Sequence, residues 1–400
     1  MENSRRWFLR ALSAAGATVV AACRGQAPKE PPSLLGSPVK PYGERSPLEQ
    51  IARRVADTST PEASASRTPL QDLNGMITPS SLHFERHHAG VPSLDPARHE
   101  LMIHGLVDRP LVFTVDELKR LPSVSRIYFV ECSGNSRTGW RPVPQPSAQA
   151  GHGLTSCSNW TGVPLSVLFK EVGVQPSGGW FIAEGADACR MMRSIPIEKA
   201  WDDALVAYGQ NGEALRPEQG YPIRLMLPGW EGNASVKWLR RIKVVDQPVM
   251  ARDETSKYTD LMPDGRARQF TFLMEAKSLI TRPSAGQKLG APGFHEISGL
   301  AWSGAGAITR VEVSTDGGTT WADAQLQAPV LAKAHTRFTL PWRWDGRETV
   351  IAARCTDESG YVQPTREALV EERGLNSDYH CNAIQRWKVQ ADGTVVDAAV

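Results

Sequence analysis

The chain has 400 residues, with 45 Lys or Arg against 43 Asp or Glu and a net charge of +2. At roughly 100–200 residues per domain it divides into two or three domains. A balance so near neutral excludes a strongly basic nucleic-acid binder and a highly acidic disordered chain. With 34 glycines and 29 prolines, it reads as turn-rich, with more strand than helix bundle.

Ser4-Arg5-Arg6-Trp7-Phe8-Leu9-Arg10 opens the chain and an apolar run, Ala11 to Ala22, follows. At about 1.5 Å per residue that run spans about 18 Å, short of the ~30 Å hydrocarbon core. It therefore reads as an export signal over residues 1–23, and the paired arginines make it a twin-arginine signal addressed to the periplasm. Val20-Ala21-Ala22-Cys23 admits two readings, a lipid anchor at Cys23 or ordinary cleavage nearby. Residues 24–75, rich in Pro, Ala and Ser, read as an arm or spacer.

The body is expected from Met76. Glu100–His104, Arg126–Glu131 and Ile223–Leu227 are short, apolar and β-prone. Thr114 is placed to cap a helix opening Val115-Asp116-Glu117-Leu118, and Pro164–Val172 and Ile197–Ala204 read as further short helices. No Gly-rich dinucleotide fingerprint follows a strand. From about residue 265 the pattern changes. Arg310–Thr315 alternates, Asp316-Gly317-Gly318 offers a hairpin turn, and Thr319-Thr320-Trp321 begins a return strand. With Thr336–Trp344 and Thr349–Cys355, residues 265–395 read as an immunoglobulin-like β-sandwich.

The six cysteines, at 23, 132, 157, 189, 355 and 381, form no C-x-x-C and no C-x-x-C-H. That excludes a zinc ribbon, a thioredoxin motif and a c-type haem in this chain. Cys132 ends a β-prone strand and enters a Gly134-Asn135 turn, with Arg137 five residues on. Taken bare, it is an activated nucleophile, a thiolate ligand to a soft metal, or an inert buried thiol. Phe84-Glu85-Arg86-His87-His88 offers metal ligands, anion contacts or a solvated loop. Leu227-Pro228-Gly229-Trp230-Glu231-Gly232-Asn233, leading to Ser235 and Lys237, is an anion-binding loop or a structural hairpin.

In this order, and with Gly153-Leu154-Thr155-Ser156-Cys157 and Tyr258-Thr259-Asp260-Leu261-Met262-Pro263-Asp264-Gly265, these clusters resemble the sulfite oxidase family of molybdenum enzymes. Within it they are most similar to the sulfane dehydrogenase branch of the bacterial thiosulfate-oxidising (Sox) system. The resemblance covers about residues 76–395 and implies an α+β molybdopterin-binding catalytic domain, 76–264, followed by an immunoglobulin-like dimerisation domain, 265–395. It implies a molybdenum–molybdopterin cofactor with Cys132 as the metal's cysteine ligand. Phe84, Glu85, Arg86, His87 and His88 fall on the family's Phe-x-Arg-Asn-His cofactor segment, with His87 where the family has Asn. Asp187, Gln219, Arg224, Ser235, Val236 and Lys237 fall on other cofactor contacts, Gln219 standing where oxidases have His. Arg86, Arg137 and Tyr208 fall on anion-recognition positions, with Arg337 as a fourth.

The family's Cys-x-Gly-Asn-Arg-Arg reads Cys132-Ser133-Gly134-Asn135-Ser136-Arg137 here, one positive charge fewer. With His87, that departure points away from free sulfite. The implied activity is oxo transfer to the sulfane sulfur of a persulfide-type adduct on a carrier-protein cysteine, with electrons passed to a c-type cytochrome subunit. The alternatives are oxidation of free sulfite to sulfate, and a non-catalytic periplasmic assembly or binding protein with a degenerate site. The expected partners are the cytochrome, the sulfur carrier and a second copy of the chain, a homodimer core within a larger hetero-oligomer. Nucleic acid is not among them.

Overall fold

The computed structural model describes residues 33–58 and 60–398. The export-signal segment and Cys23 lie outside the described residues. Residues 33–50 form a unit of their own, exposed throughout and without helix or strand, with Lys40 paired to Glu44 at 2.5 Å. The spacer reading extends no further along the chain. Arg54–Val55 pairs with Ala65–Arg67, which pairs with Glu85–Arg86, so residues 51–75 supply two strands of a three-stranded sheet. Leu70 is buried in the core, and Thr68 Oγ1 meets Ser156 Oγ at 2.6 Å. The body therefore begins before Met76. Strands of two or three residues have no hydrophobic period from which to read them.

Two five-stranded sheets build the catalytic domain. One runs Glu213–Ala214, Leu205–Gln210, Thr155–Pro164, Val124–Glu131, with Arg224–Met226 also on Leu205–Gln210. The other runs Leu111–Thr114, Glu100–Gly105, Leu239–Val245, Trp180–Gly185, Met192–Pro196, and in it Glu100–Gly105 and Leu239–Val245 are parallel. Residues 227–238 cross from the first sheet to the second, so they are not a hairpin. Val115–Arg120 is a helix with the expected cap: Thr114 Oγ1 accepts from Glu117 N at 3.2 Å, and Glu117 accepts from Thr114 N at 2.8 Å. Leu165–Val172 starts after Pro164, ends at Gly173 (φ 66°) and buries Leu165, Leu168, Phe169 and Val172. The third expected helix is only Glu198–Asp202.

The second half is a β-sandwich. Lys277–Arg282, Gly293–Trp302, Thr336–Trp344 and Gln325–Leu326 form one sheet. Ala322–Asp323, Ile308–Ser314, Thr349–Asp357, Arg386–Val389 and Val395–Asp397 form the other. Val311 and Val313 are buried as the alternation requires, while Glu312 is covered by Arg354 at 2.9 Å. The return strand is Ala322–Asp323, later than Thr319–Trp321. Asp316 accepts from Thr320 N at 2.9 Å and from Thr320 Oγ1 at 2.5 Å, which holds those residues in the turn. The halves meet backbone to backbone where a Cβ on Gly304 would lie 1.9 Å from Gly229 O. Among the described residues, no helix is long and apolar enough to cross a membrane.

Candidate active site

Val124–Glu131 delivers Cys132 into a turn closed by Asn135 N donating to Cys132 O at 2.8 Å. The Asn135 side chain fixes that turn, donating to Glu131 Oε1 at 2.8 Å and accepting from Leu154 N at 3.1 Å. The crossing loop lies against it. Gly232 N donates to Glu131 O at 2.6 Å, and a Cβ there would come within 2.8 Å of the same oxygen. Only glycine allows that approach. Burial pushes the Cys132 thiol up, while the Gly134 N–H and the Arg86 charge pull it down.

One cavity gathers most of the expected residues. Phe84, Glu85, Arg86, His87 and His88 line one side, and Cys132, Asp187, Gln219, Arg224, Ser235, Val236 and Lys237 line the rest. Its cations are anchored by carbonyl oxygens. Arg224 donates to Gln219 O at 3.1 Å and to Ser235 O at 2.9 Å, and stacks 5.0 Å over Trp160. Burial brings Arg224 to about 9. Lys237 Nζ donates to Arg86 O at 3.2 Å, Glu218 O at 3.0 Å and His87 Nδ1 at 2.9 Å. Burial, then the Arg224 charge, lower Lys237 to about 7. His87 in turn donates from Nε2 to Glu85 Oε2 at 2.6 Å. Burial raises Glu85, but the His87 hydrogen bond and the Arg53 charge outweigh it and hold that carboxyl at about 2. The histidine in the family's Asn position thus links a carboxylate to a buried ammonium.

Three expected residues do not line the cavity. Tyr208 sits where the pairing of Leu205–Gln210 with Thr155–Pro164 slips register, and it packs on the domain core. Arg337 is buried and donates to Gly75 O at 2.9 Å and Leu73 O at 3.2 Å. Those bonds tie the sandwich to residues 73–75. The Arg137 side chain is 67% exposed and pairs with Asp378 at 3.7 Å. The tyrosine that does line the cavity is Tyr258. Its hydroxyl lies 3.2 Å from His88 Nε2, and the Arg193 guanidinium covers its ring at 4.8 Å. Burial raises Tyr258 well above the usual phenol value and lowers His88 to about 4. The hydroxyl therefore keeps its proton and the imidazole stays neutral.

Two family models match the chain: the oxidoreductase molybdopterin binding domain over residues 88–252, and the Mo-co oxidoreductase dimerisation domain over 268–387. The crystal structure of the sulfane dehydrogenase SoxCD from Paracoccus pantotrophus is 48% identical with a TM-score of 0.89, covering 91% of this chain and 95% of that chain. The sulfite oxidase of Gallus gallus is 30% identical over 86% of this chain and 75% of its own. The chain belongs to the sulfite oxidase family. The NADH nitrate reductase of Ulva prolifera is also similar, 31% identical over 75% of this chain, but the chain spans only 39% of that protein.

As a member of the sulfite oxidase family the protein holds a molybdenum–molybdopterin cofactor, and the cavity fits one. His83 lines it with Nδ1 donating to Phe84 O at 2.9 Å, which leaves Nε2 as a buried lone pair with no partner. Asn233 lines it as well, with Oδ1 buried and unpartnered. Such acceptors suit the N–H groups of a pterin, and Arg224 and Lys237 suit its phosphate. Among the described residues no three His, Cys, Asp or Glu side chains gather as a metal cage, so Cys132 offers a single thiolate. Asn233 and Tyr258 lie inside the motifs that carry the resemblance and His83 directly precedes one, yet no local pattern marks them as cavity residues. Met191 and Trp238 also line it, and no sequence feature singled them out.

Proposed function

We propose that this protein is the molybdenum-bearing subunit of a periplasmic sulfane dehydrogenase. It would oxidise the sulfane sulfur of a persulfide-type adduct carried on another protein's cysteine and pass the electrons to a c-type cytochrome. The observation that carries this reading is the 48% identity to the sulfane dehydrogenase SoxCD, spread over 91% of the chain. The cavity composition supports it. Ser136 stands at one family arginine position, and Arg137 and Arg337 face elsewhere, which leaves Arg86 as the cavity-lining arginine of the expected anion-recognition positions. The twin-arginine motif supports the periplasmic address, and the sandwich's match to a dimerisation domain supports a homodimer core.

When bound, the cofactor supplies the two-electron oxidation and the oxygen atom that ends on sulfur. The protein's side chains do the rest. Cys132 would hold the metal by its thiolate. Arg224 and Lys237, fixed by carbonyls, would hold the anionic end of the cofactor. Arg86, which lines the cavity, would stabilise the negative charge that grows on the oxidised sulfur. Tyr258 keeps a proton on its hydroxyl and presents it as a hydrogen-bond donor beside neutral His88.

Free sulfite as substrate is the second reading, favoured by the 30% identity to a sulfite oxidase. The test measures molybdenum per chain and turnover of a persulfidated carrier protein against free sulfite, with a cytochrome as acceptor. About one metal per chain, greater specificity for the carrier, and loss of both substrates' oxidation in Cys132→Ser are expected. A metal-free wild type would overturn the reading, and preference for free sulfite would select the second.

A further inference from the structure

The sandwich domain reaches the Cys132 loop. Residues 377–380 run along the Cys132 loop and are anchored to it. His380 N donates to Ser133 O at 2.8 Å, and Trp140 Nε1 donates to Tyr379 O at 3.2 Å. The Tyr379 ring packs 5.2 Å from that of Tyr258, which lines the cavity. His380 Nε2 lies 3.3 Å from Glu231 Oε2 in the crossing loop. Asp378 therefore projects from a backbone held on both sides, and its carboxylate meets Arg137 at 3.7 Å. Arg137 is fixed in the same way, at the start of the turn Arg137–Gly139, five residues after Cys132.

We propose that Asp378 selects against small free oxyanions by cancelling the charge of Arg137 beside the Cys132 loop. The proposal rests on the sulfane reading above and sharpens its substrate class. Ser136 has already removed one cation from this loop. Arg86 lines the cavity and donates to the carbonyls of Ser64 and His87, neutral partners that leave its charge in place. A free sulfite or sulfate ion, held by charge alone, therefore meets one uncompensated cation fewer than it would with Arg137 unpaired. A sulfur atom on a protein-borne arm does not depend on that potential, because its carrier supplies the binding contacts. An exposed ion pair adds little stability. Its effect here is on the local field, which reaches across roughly one Debye length, about 8–10 Å.

The experiment uses the molybdenum-loaded protein and Asp378→Asn. Sulfate binding is followed by calorimetry and sulfite oxidation by kcat and KM. Freeing Arg137 should tighten sulfate binding and lower the sulfite KM by about threefold to tenfold at low salt, with kcat little changed. The gain should shrink in high salt and vanish in Asp378→Asn/Arg137→Gln, and Asp378→Glu should behave as the wild type. Equal sulfate affinity in Asp378→Asn and wild type, or a gain that survives loss of Arg137, would overturn the proposal. Sulfate binding needs no turnover. A loaded wild type that oxidises neither substrate would sink the functional reading, while the role of Asp378 would still be decided by calorimetry.

Discussion

Lys277 Nζ lies 2.9 Å from Glu131 Oε1, a buried ion pair that joins the first sandwich strand to the residue preceding Cys132. The same ammonium donates to Ser136 Oγ at 2.8 Å, and Glu131 also accepts from Trp302 Nε1 at 2.6 Å. Two side chains of the dimerisation domain thus hold the carboxylate that steadies the thiolate loop. Glu131 in turn receives Asn135 and shapes the turn that aims Cys132.

Removing Lys277 strands that carboxylate. Losing one partner of a buried pair costs roughly 3–5 kcal/mol, because the remaining charge stays desolvated. Lys277→Met should lower the unfolding free energy by that order and reduce molybdenum per chain, read by denaturation and metal analysis. Lys277→Arg should recover part of both. A Lys277→Met protein as stable and as metal-rich as the wild type would show that the sandwich does not support the loop.

The two tyrosines give a sharp comparison. Tyr258 lines the cavity beside His88, whereas Tyr208 packs on the core. Tyr258→Phe removes a positioned donor and should lower kcat/KM by about tenfold or more with metal content unchanged. Tyr208→Phe should stay within about twofold, since no reacting group meets its hydroxyl. The reverse order would restore the assignment expected from the sequence.

What was legible in the chain was what is local. Cys132 at a strand end before Gly-Asn, the Thr114 capping box and the Asp316-Gly317-Gly318 turn are each specified within a few residues. The cofactor loops were reached through motif order, and residues of both the Phe84–His88 segment and the crossing loop line one cavity. Contacts across the domain junction were not legible. Asp378 meets Arg137, and Arg337 meets residues 73–75, across stretches of chain far longer than any hydrophobic period. Tyr208 was misplaced because the register slip at that residue comes from strand pairing, which its own segment does not encode. Residues 51–75 looked like spacer because their strands are completed by Glu85–Arg86.

Arg337 should behave as a clamp. Its two hydrogen bonds to Gly75 O and Leu73 O come from a buried cation, and bonds of that kind contribute about 1.5–3 kcal/mol. Arg337→Gln should therefore lower thermal stability and increase proteolysis near residues 73–75. The KM for either sulfur substrate should stay where it was. A raised KM at unchanged stability would move Arg337 into substrate recognition.

Acid should weaken the fold before its carboxylates protonate. Burial holds His83, His152 and His335 at about 3, each neutral inside the protein. In the unfolded chain they titrate near 6.5. Between those values the unfolded state binds protons that the folded state refuses, so stability falls as pH drops below about 6.5. Each histidine accounts for roughly 2 kcal/mol of loss by pH 5. Glu85 and Glu231, both held at about 2, add their losses only below the usual carboxyl range. His152 isolates the first phase, because its Nδ1 accepts from Ser136 Oγ at 2.6 Å and its Nε2 donates to Gln385 Oε1 at 3.1 Å, away from the cofactor cavity. His152→Gln should cost stability at pH 7 through those two bonds, yet lose about 2 kcal/mol less than the wild type between pH 7 and pH 5. Urea denaturation at the two pH values reads the difference directly. Parallel losses in the two proteins would mean that His152 already carries its proton in the folded state.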